Sequence, residues 1–188
     1  MALRVMHANT APPGAAKWTQ NAYDAIGRLT TITKPDSGVI TNSYSGWAAT
    51  VTDENSHTKT FTKDAYGRLV TVVENNLGVN YTTNYKYNAL DNLTEITDHA
   101  GNKFVFGYDT LGRRISMADP DLGAWSYDYD NNGNLTKSTN ANAQVINYAY
   151  DELSRLKTKD YTSSPGIEVT YNYDEPASTN PLGRRSSM

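Results

Sequence analysis

Three absences limit what this sequence can be. It contains no cysteine among its 188 residues, so disulfide bonds and thiolate metal sites are excluded. No apolar stretch approaches the roughly 20 residues that a membrane-spanning helix needs. The amino terminus also lacks the apolar run of about 7–15 residues that a secretory signal requires. We therefore expect no membrane span, and we expect any export signal to belong to a longer parent chain.

Clusters of basic residues and helical periodicity are also missing. The formal net charge is −3, with Lys and Arg scattered along the chain, whereas a nucleic-acid-binding domain usually carries a basic patch. We therefore predict no nucleic-acid partner. No segment keeps an apolar period near 3.6 residues over three turns of helix, so the sequence predicts almost no helix.

What the sequence has in abundance is tyrosine, with 14 Tyr against 3 Phe, together with many Thr, Asn, Asp and Gly residues. Tyr and Thr favour the half-buried surface of a β-sheet, and Gly, Asn and Asp favour tight turns. This composition is typical of short strands joined by turns.

A seven-residue motif recurs along the chain. It reads YDAIGRL from Tyr23, and similar copies begin at Lys63, Tyr87, Tyr108, Tyr129 and Tyr150. The last four copies begin 21 residues apart, and degenerate copies begin at Tyr44 and Tyr173. Periodic self-similarity of this kind indicates a repeat architecture.

Each repeat has the pattern of a β-hairpin. Before the anchor position, apolar residues alternate with polar ones, as Trp125, Tyr127 and Tyr129 alternate with Ser126 and Asp128. Such alternation predicts a strand with one buried face. The Asp after the anchor and the Gly three residues later predict a turn, after which a second strand begins. The fold predicted is all-β: tandem hairpins of about 21 residues that form a long, twisted, curved antiparallel sheet.

The anchor motif YDxxGRL and the aromatic strand that returns to it resemble the RHS/YD-repeat family. The resemblance covers about Lys17 to Met188. It implies a sheet that spirals into a hollow shell, which in bacterial polymorphic toxins and insecticidal toxin complexes encloses a toxic C-terminal domain. In the animal teneurins, the related barrel belongs to a cell-surface adhesion molecule.

We accordingly predict residues 1–16 to be a non-repeat or partial-repeat segment, and residues 17–188 to be a repeat array truncated within its last repeat. The resemblance implies a structural scaffold, a segment of a shell, in a protein that is secreted or displayed at the cell surface. The alternative is an adhesion module that binds carbohydrate or protein. The expected partners are flanking repeats or the toxin cargo of a parent chain, and the exposed edges of the sheet predict self-association.

No enzyme activity, cofactor or metal site is predicted, and any ligand-binding residues remain unknown. Carboxylates recur at one turn position (Asp24, Asp64, Asp109, Asp130, Asp151 and Asp174), whereas a catalytic pair would be unique. We expect these carboxylates to pair with the arginines four residues later, which are Arg28, Arg68, Arg113 and Arg155.

Two further patterns suggest metal sites, although weakly. Residues 128–133 match the first half of an EF-hand loop, but its twelfth position is Thr139 instead of Glu. His7, His57 and His99 are isolated, although Asp53 with His57 and Asp98 with His99 lie close in sequence.

The aromatic ladder has two interpretations. Its strict alternation with polar residues favours the core of the sheet, whereas an exposed ladder would offer a surface on which sugar rings stack. Trp18, Trp47 and Trp125 are the residues most relevant to the second interpretation, because Trp47 departs from the repeat pattern.

Overall fold

The computed structural model describes residues 5–8, 18–162, 166–173 and 185–187. Within these ranges, every regular element is a β-strand, and no helix capable of spanning a membrane is found. The strands are β1 (Val5–Ala8), β2 (Trp18–Tyr23), β3 (Leu29–Thr33), β4 (Val39–Ser45), β5 (Ala48–Thr52), β6 (Thr58–Lys63), β7 (Leu69–Asn76), β8 (Val79–Tyr87), β9 (Leu93–Thr97), β10 (Lys103–Tyr108), β11 (Arg114–Asp119), β12 (Gly123–Tyr129), β13 (Leu135–Thr139), β14 (Val145–Tyr150), β15 (Leu156–Tyr161), β16 (Val169–Thr170), β17 (Asn172–Tyr173) and β18 (Arg185–Ser187).

The chain divides into two compact units. In the first unit (residues 1–86 and 96–102), each strand from β1 to β8 pairs antiparallel with the next strand in sequence. In the second unit (residues 87–95 and 103–188), β10 to β16 pair in the same consecutive order. The prediction of tandem antiparallel hairpins is confirmed in each unit.

The two ends of the chain contribute short strands. In the predicted non-repeat segment, β1 pairs with β2, with Val5 opposite Asn21 and Ala8 opposite Trp18. Near the carboxyl terminus, β17 pairs with β18. The rest of both terminal segments, including Asp174, lies outside the described residues, as does the side chain of His7.

The aromatic face of the sheet is half-buried. In the second unit, Phe106, Met117 and Trp125 lie opposite one another on consecutive strands and are all partly exposed. Among the described residues, only Val72 and Ser138 are buried, at 6% and 4% exposure. The expectation that the ladder is a buried core is therefore wrong for both units, because neighbouring side chains on the same sheet shield only part of each ring.

Candidate functional site

The aspartate of the anchor turn accepts hydrogen bonds from the main chain of the same turn. In the first repeat, the main-chain N–H of Asp24 donates to the oxygen of Arg28 at 2.9 Å, and Gly27 N–H donates to the oxygen of Asp24 at 3.1 Å. The Asp24 carboxylate accepts further bonds from the N–H groups of Ile26 and Arg28. Gly27 has φ +83°, a conformation that glycine adopts without the cost of a Cβ atom. The motif thus closes a hairpin loop without help from other parts of the sheet.

Where the sixth residue of the motif is arginine, its side chain contacts the same carboxylate. Arginine Nε lies 2.6–2.7 Å from Oδ2 of the aspartate four residues earlier in all four predicted pairs: Asp24–Arg28, Asp64–Arg68, Asp109–Arg113 and Asp151–Arg155. The predicted ion pairs are confirmed. Both carboxylate oxygens are therefore engaged within the turn.

These contacts also change the acidity of the carboxyl groups. The pKa of Asp24 is lowered, mainly by the hydrogen bond from the main-chain N–H of Arg28 and then by that of its guanidinium group. For Asp109, desolvation acts to raise the pKa, but the hydrogen bonds from Arg113 outweigh it and the pKa is lowered. Carboxyls with lowered pKa values stay ionised, so they are poor candidates for general acids at neutral pH.

Three anchor turns also contact the next repeat through an arginine and a tyrosine. The Arg28 guanidinium carbon lies 4.2 Å from the centroid of the Tyr44 ring, within the range of a cation–π contact. The hydroxyl of Tyr44 donates to the main-chain oxygen of Leu29 at 2.8 Å. The same arrangement, which we call the Asp–Arg–Tyr bridge, is seen at three places within the described ranges: Asp24–Arg28–Tyr44, Asp109–Arg113–Tyr129 and Asp151–Arg155–Tyr173. The anchor tyrosine therefore links successive hairpins.

The same turn geometry occurs in the turns at the opposite ends of the strands, where the sequence pattern is less obvious. Asp53 accepts bonds from the N–H groups of Asn55 and His57, and its second carboxylate oxygen lies 3.0 Å from His57 Nδ1. The proximity suggested for Asp53 and His57 is confirmed. In the sequence, this turn is marked by Asp53 and by Ser56 three residues later. Ser56 has φ +67°.

The residues that resemble half of an EF-hand loop belong to another anchor turn. Asp130 Oδ1 accepts from the N–H groups of Asn132 and Asn134, and Oδ2 accepts from the Asn134 side chain at 2.9 Å. Asp128 instead lies 3.8 Å from Lys137 on the neighbouring strand. Within the described part of the chain, no group of three or more His, Asp or Glu side chains is placed to hold a metal ion.

The three tryptophans occupy different positions. Trp47 is 64% exposed at the tip of a short turn, and Trp18 is exposed at the start of β2. Trp125 is partly buried on the aromatic face, and its Nε1 has no hydrogen-bond partner among the residues that the structure describes. The structure does not bring the three side chains together within one unit, because Trp125 belongs to the second unit.

A depression of about 510 Å³ lies on the first unit beside the Asp53–His57 turn. A row of cross-strand neighbours crosses β5 to β8 and lines it, in the order Val51, Lys59, Glu74 and Tyr81. Lys59 Nζ is 2.6 Å from Glu74 Oε1. Sequence reasoning did not find this depression, because its lining comes from four different strands.

One wall of the depression is aromatic. The ring of Tyr81 lies edge-to-face with that of His99, with a centroid distance of 5.0 Å. Asp53 and His57 form part of the opposite rim. A lining that combines apolar and aromatic side chains with an ion pair and amide groups can accommodate a small polar ligand.

Comparison with known proteins identifies the repeat. The RHS Repeat family matches residues 87–123 and 129–164, which contain the anchor turns of Asp109, Asp130 and Asp151. Residues 87–123 and 129–164 are thus RHS repeats, and over this part the chain is similar to the RHS-repeat family. The resemblance inferred from the motif YDxxGRL is therefore confirmed.

A relative from Burkholderia cenocepacia (strain H111), named double-stranded DNA deaminase toxin A, is 27% identical over 160 residues. The match covers 84% of this RHS-repeat chain but only 11% of the relative. The chain thus spans about a tenth of that toxin, and the deaminase activity in its name belongs to the whole relative.

Solved toxin complexes share the fold. A TcdB2–TccC3–TEV structure has a TM-score of 0.71 at 16% identity, and the match covers 84% of this chain and 9% of the other. A TcdB2–TccC3–Cdc42 structure gives 0.70 at 15% identity, covering 83% and 9%. A Tc holotoxin pore of Photorhabdus luminescens gives 0.68 at 15% identity, covering 82% and 9%. These likenesses show that the chain shares its fold with a small part of each of these proteins.

Proposed function

We propose that this RHS-repeat chain is a segment of the wall of a larger shell that encloses a toxin domain of the same polypeptide. The observation that carries the proposal is the Asp–Arg–Tyr bridge, which recurs from hairpin to hairpin with the same contacts. In each bridge, the carboxylate of the motif is paired with the arginine that contacts the next hairpin. The contribution of the segment is thus mechanical, and it performs no chemistry of its own.

Two observations fit such a wall, one on the sheet and one on the length of the similar proteins. The aromatic faces are half-buried in each unit, so they retain apolar surface that other parts of a larger protein can cover. The similar toxin complexes and the deaminase toxin are many times longer than the segment that matches. The proposed partners are therefore flanking repeats and a toxin domain, and the proposed place of action is outside the producing cell.

The first test uses this chain alone. A wall segment without its toxin domain should leave bacterial growth unchanged when produced in the cytosol, and the DNA of the host should acquire no additional base changes. Growth arrest or deamination caused by the purified chain would overturn the proposal, because the activity would then reside in the repeats.

The second test uses the full-length gene product that contains this chain. We expect limited proteolysis to leave an enclosed toxin domain intact while the shell persists. Arg28→Ala, Arg113→Ala and Arg155→Ala together should hasten its digestion, since they remove the guanidinium from all three described bridges. A toxin domain digested at the same rate in the parent and the variant would contradict enclosure by this wall.

The depression beside Tyr81 supports a second candidate function, a binding site for a sugar ring at a cell surface. The aromatic ring offers a stacking face, and the carboxylate, imidazole and amide groups around it offer hydrogen-bond partners. A glycan array should show saturable binding that Tyr81→Ser abolishes. Tyr66→Ser, at an exposed turn, is the matched control, and the absence of saturable binding by the parent chain would exclude this candidate.

A further inference from the structure

Only one asparagine of the sequence is followed by glycine. Asn132 and Gly133 form this pair in the anchor turn of Asp130, and both are exposed. The carboxamide of Asn132 has no hydrogen-bond partner among the described residues. Apart from the neighbouring residues of the chain, no described atom lies within 4 Å of the position that a Cβ atom would take at Gly133. The side chain of Asn132 and the main chain after it are therefore both open to water.

Two other asparagines occupy the same position in turns of the same geometry. The main-chain N–H donates to the side-chain oxygen two residues earlier at 2.9 Å in Asn132, 2.9 Å in Asn55 and 3.0 Å in Asn142. In each turn the following residue has a positive φ, which is +87° at Gly133, +67° at Ser56 and +59° at Ala143. The three turns thus share their main-chain geometry and differ in the residue that follows the asparagine.

That following residue takes part in the loss of a carboxamide. Its main-chain nitrogen gives up a proton to a base from the solvent and attacks Cγ of the asparagine. The bond from Cγ to the side-chain nitrogen breaks, and ammonia leaves after taking a proton from water, so that a cyclic succinimide remains. Water then opens the ring at either carbonyl, which yields aspartate or isoaspartate. Glycine favours the attack because no Cβ atom crowds the nitrogen.

We propose that Asn132 is a modification site, at which spontaneous deamidation replaces the asparagine by aspartate or isoaspartate. The folded turn slows this reaction without preventing it. Gly133 N–H donates to the main-chain oxygen of Asp130 at 3.1 Å. The nitrogen must leave this bond before it can attack, so local opening of the turn controls the rate.

The isoaspartyl product loosens a contact between repeats. The main-chain oxygen of Asp130 also accepts a hydrogen bond from Arg113 Nη1 at 2.8 Å, so it belongs both to its own turn and to the link with the preceding turn. Isoaspartate adds one carbon to the main chain between Asp130 and Gly133, which disrupts the bond from Gly133 N–H. The modification therefore weakens the link as the protein ages, whether or not the segment encloses a toxin domain.

Peptide mapping by mass spectrometry tests the proposal on the whole folded chain at mildly alkaline pH. We expect Asn132 to deamidate at least about tenfold faster than Asn55 and Asn142. In urea, the rate at Asn132 should rise by about two- to tenfold, the factor that corresponds to one lost hydrogen bond. An Asn132 that stays intact, or that reacts no faster than the other two asparagines, would sink the proposal. An unchanged rate in urea would contradict control by the turn.

Two substitutions give an independent answer. Gly133→Ala should slow the reaction at Asn132 at least about tenfold, because a Cβ atom then crowds the attacking nitrogen. Ala143→Gly should accelerate the reaction at Asn142 by a similar factor, and it keeps the test decisive if Gly133→Ala folds poorly. Equal rates at Asn142 in the parent and in Ala143→Gly would show that the following glycine does not determine the site.

Urea unfolding of aged protein tests the effect on the link. The fraction that carries isoaspartate at position 132 should unfold at a lower urea concentration than fresh protein. Asn132→Asp is the control, because it has the charge of the other product on an unchanged main chain, and its midpoint should fall less. If the isoaspartyl fraction unfolds like fresh protein, the modification does not weaken the contact between the repeats.

Discussion

The hydroxyl of Tyr44 donates a hydrogen bond to the main-chain oxygen of Leu29, fifteen residues earlier in the chain. This bond connects the end of β4, the first strand of one hairpin, to the start of β3, the second strand of the preceding hairpin. The ring of Tyr44 also lies beneath the guanidinium group of Arg28. One side chain thus contributes to the connection between hairpins through both its hydroxyl and its ring.

Removal of the hydroxyl should weaken that connection while the ring contact remains. Tyr44→Phe is expected to lower the free energy of unfolding by about 0.5–1.5 kcal/mol, the usual contribution of a hydrogen bond of this kind. Urea unfolding followed by fluorescence measures the change. Tyr66→Phe, at an exposed turn tip, should have no measurable effect, and equal losses in both variants would contradict a specific role for the Tyr44 bond.

Arg113 joins two successive turns of the second unit. Its Nε donates to Asp109 Oδ2 at 2.6 Å and its Nη1 to the main-chain oxygen of Asp130 at 2.8 Å. Arg113→Ala should destabilise the protein by about 1.5–3 kcal/mol, since hydrogen bonds involving a charged group are lost. Arg113→Lys should recover only part of this, because an ammonium group lacks the planar fork of donors.

Lys137→Ala is the matched control for the arginine variants. Lys137 Nζ lies 3.8 Å from Asp128 Oδ2, and both side chains are well exposed. Its loss should change the free energy of unfolding by less than about 1 kcal/mol. Urea midpoints measured in parallel would contradict the bridging role of Arg113 if both alanine variants behaved alike.

Acid should destabilise the repeats within a defined pH range. The pKa values of Asp24, Asp53, Asp98, Asp130 and Asp151 all lie below the ordinary value of 3.8, chiefly because of hydrogen bonds within their own turns. A group whose pKa is lower in the folded state contributes stability above its unfolded pKa and loses it as the pH falls through its folded pKa.

We therefore expect the urea midpoint to be insensitive to these groups above about pH 5 and to fall steadily below about pH 4. Asp130→Asn should reduce the acid sensitivity while the turn keeps an oxygen acceptor. A midpoint that rises as the pH is lowered from 5 to 3 would contradict the sign of this coupling.

Turns with a non-glycine residue in the left-handed region should be stabilised by a change to glycine. Ala143 has φ +59° at a position where Gly133 has φ +87° in the equivalent anchor turn. Ala143→Gly should raise the free energy of unfolding by about 0.5 kcal/mol, because relief of the Cβ strain exceeds the added freedom of the unfolded chain. The reverse change, Gly133→Ala, should lower it by about 1 kcal/mol. Thermal unfolding of both variants provides the test.

The sequence was sufficient to predict the hairpins, because strand alternation and the turn signal lie in one short stretch of chain. It also predicted the Asp–Arg pairs, because their residues are four positions apart. The contact between Arg28 and Tyr44 was not predicted, because it depends on the register in which β3 pairs with β4. Local spacing does not specify that register.

The aromatic ladder illustrates a different limit. Alternation identified the face on which Tyr127 and Trp125 lie, yet it contains no information about what covers that face. The depression lined by Val51, Lys59 and Tyr81 similarly brings together residues from separate strands, and none of them forms a recognisable motif. Sequence periodicity describes each hairpin well, but it does not describe surfaces built from several hairpins.

The consecutive strand order has a consequence for how the protein forms. Within each unit, every strand pairs with its neighbours in the chain, so native contacts are close in sequence and their loop-closure entropy is small. A completed hairpin can therefore serve as the template for the one synthesised next. Folding should therefore proceed from the amino end during translation, and each Asp–Arg–Tyr bridge can form as soon as the tyrosine of the next hairpin has left the ribosome.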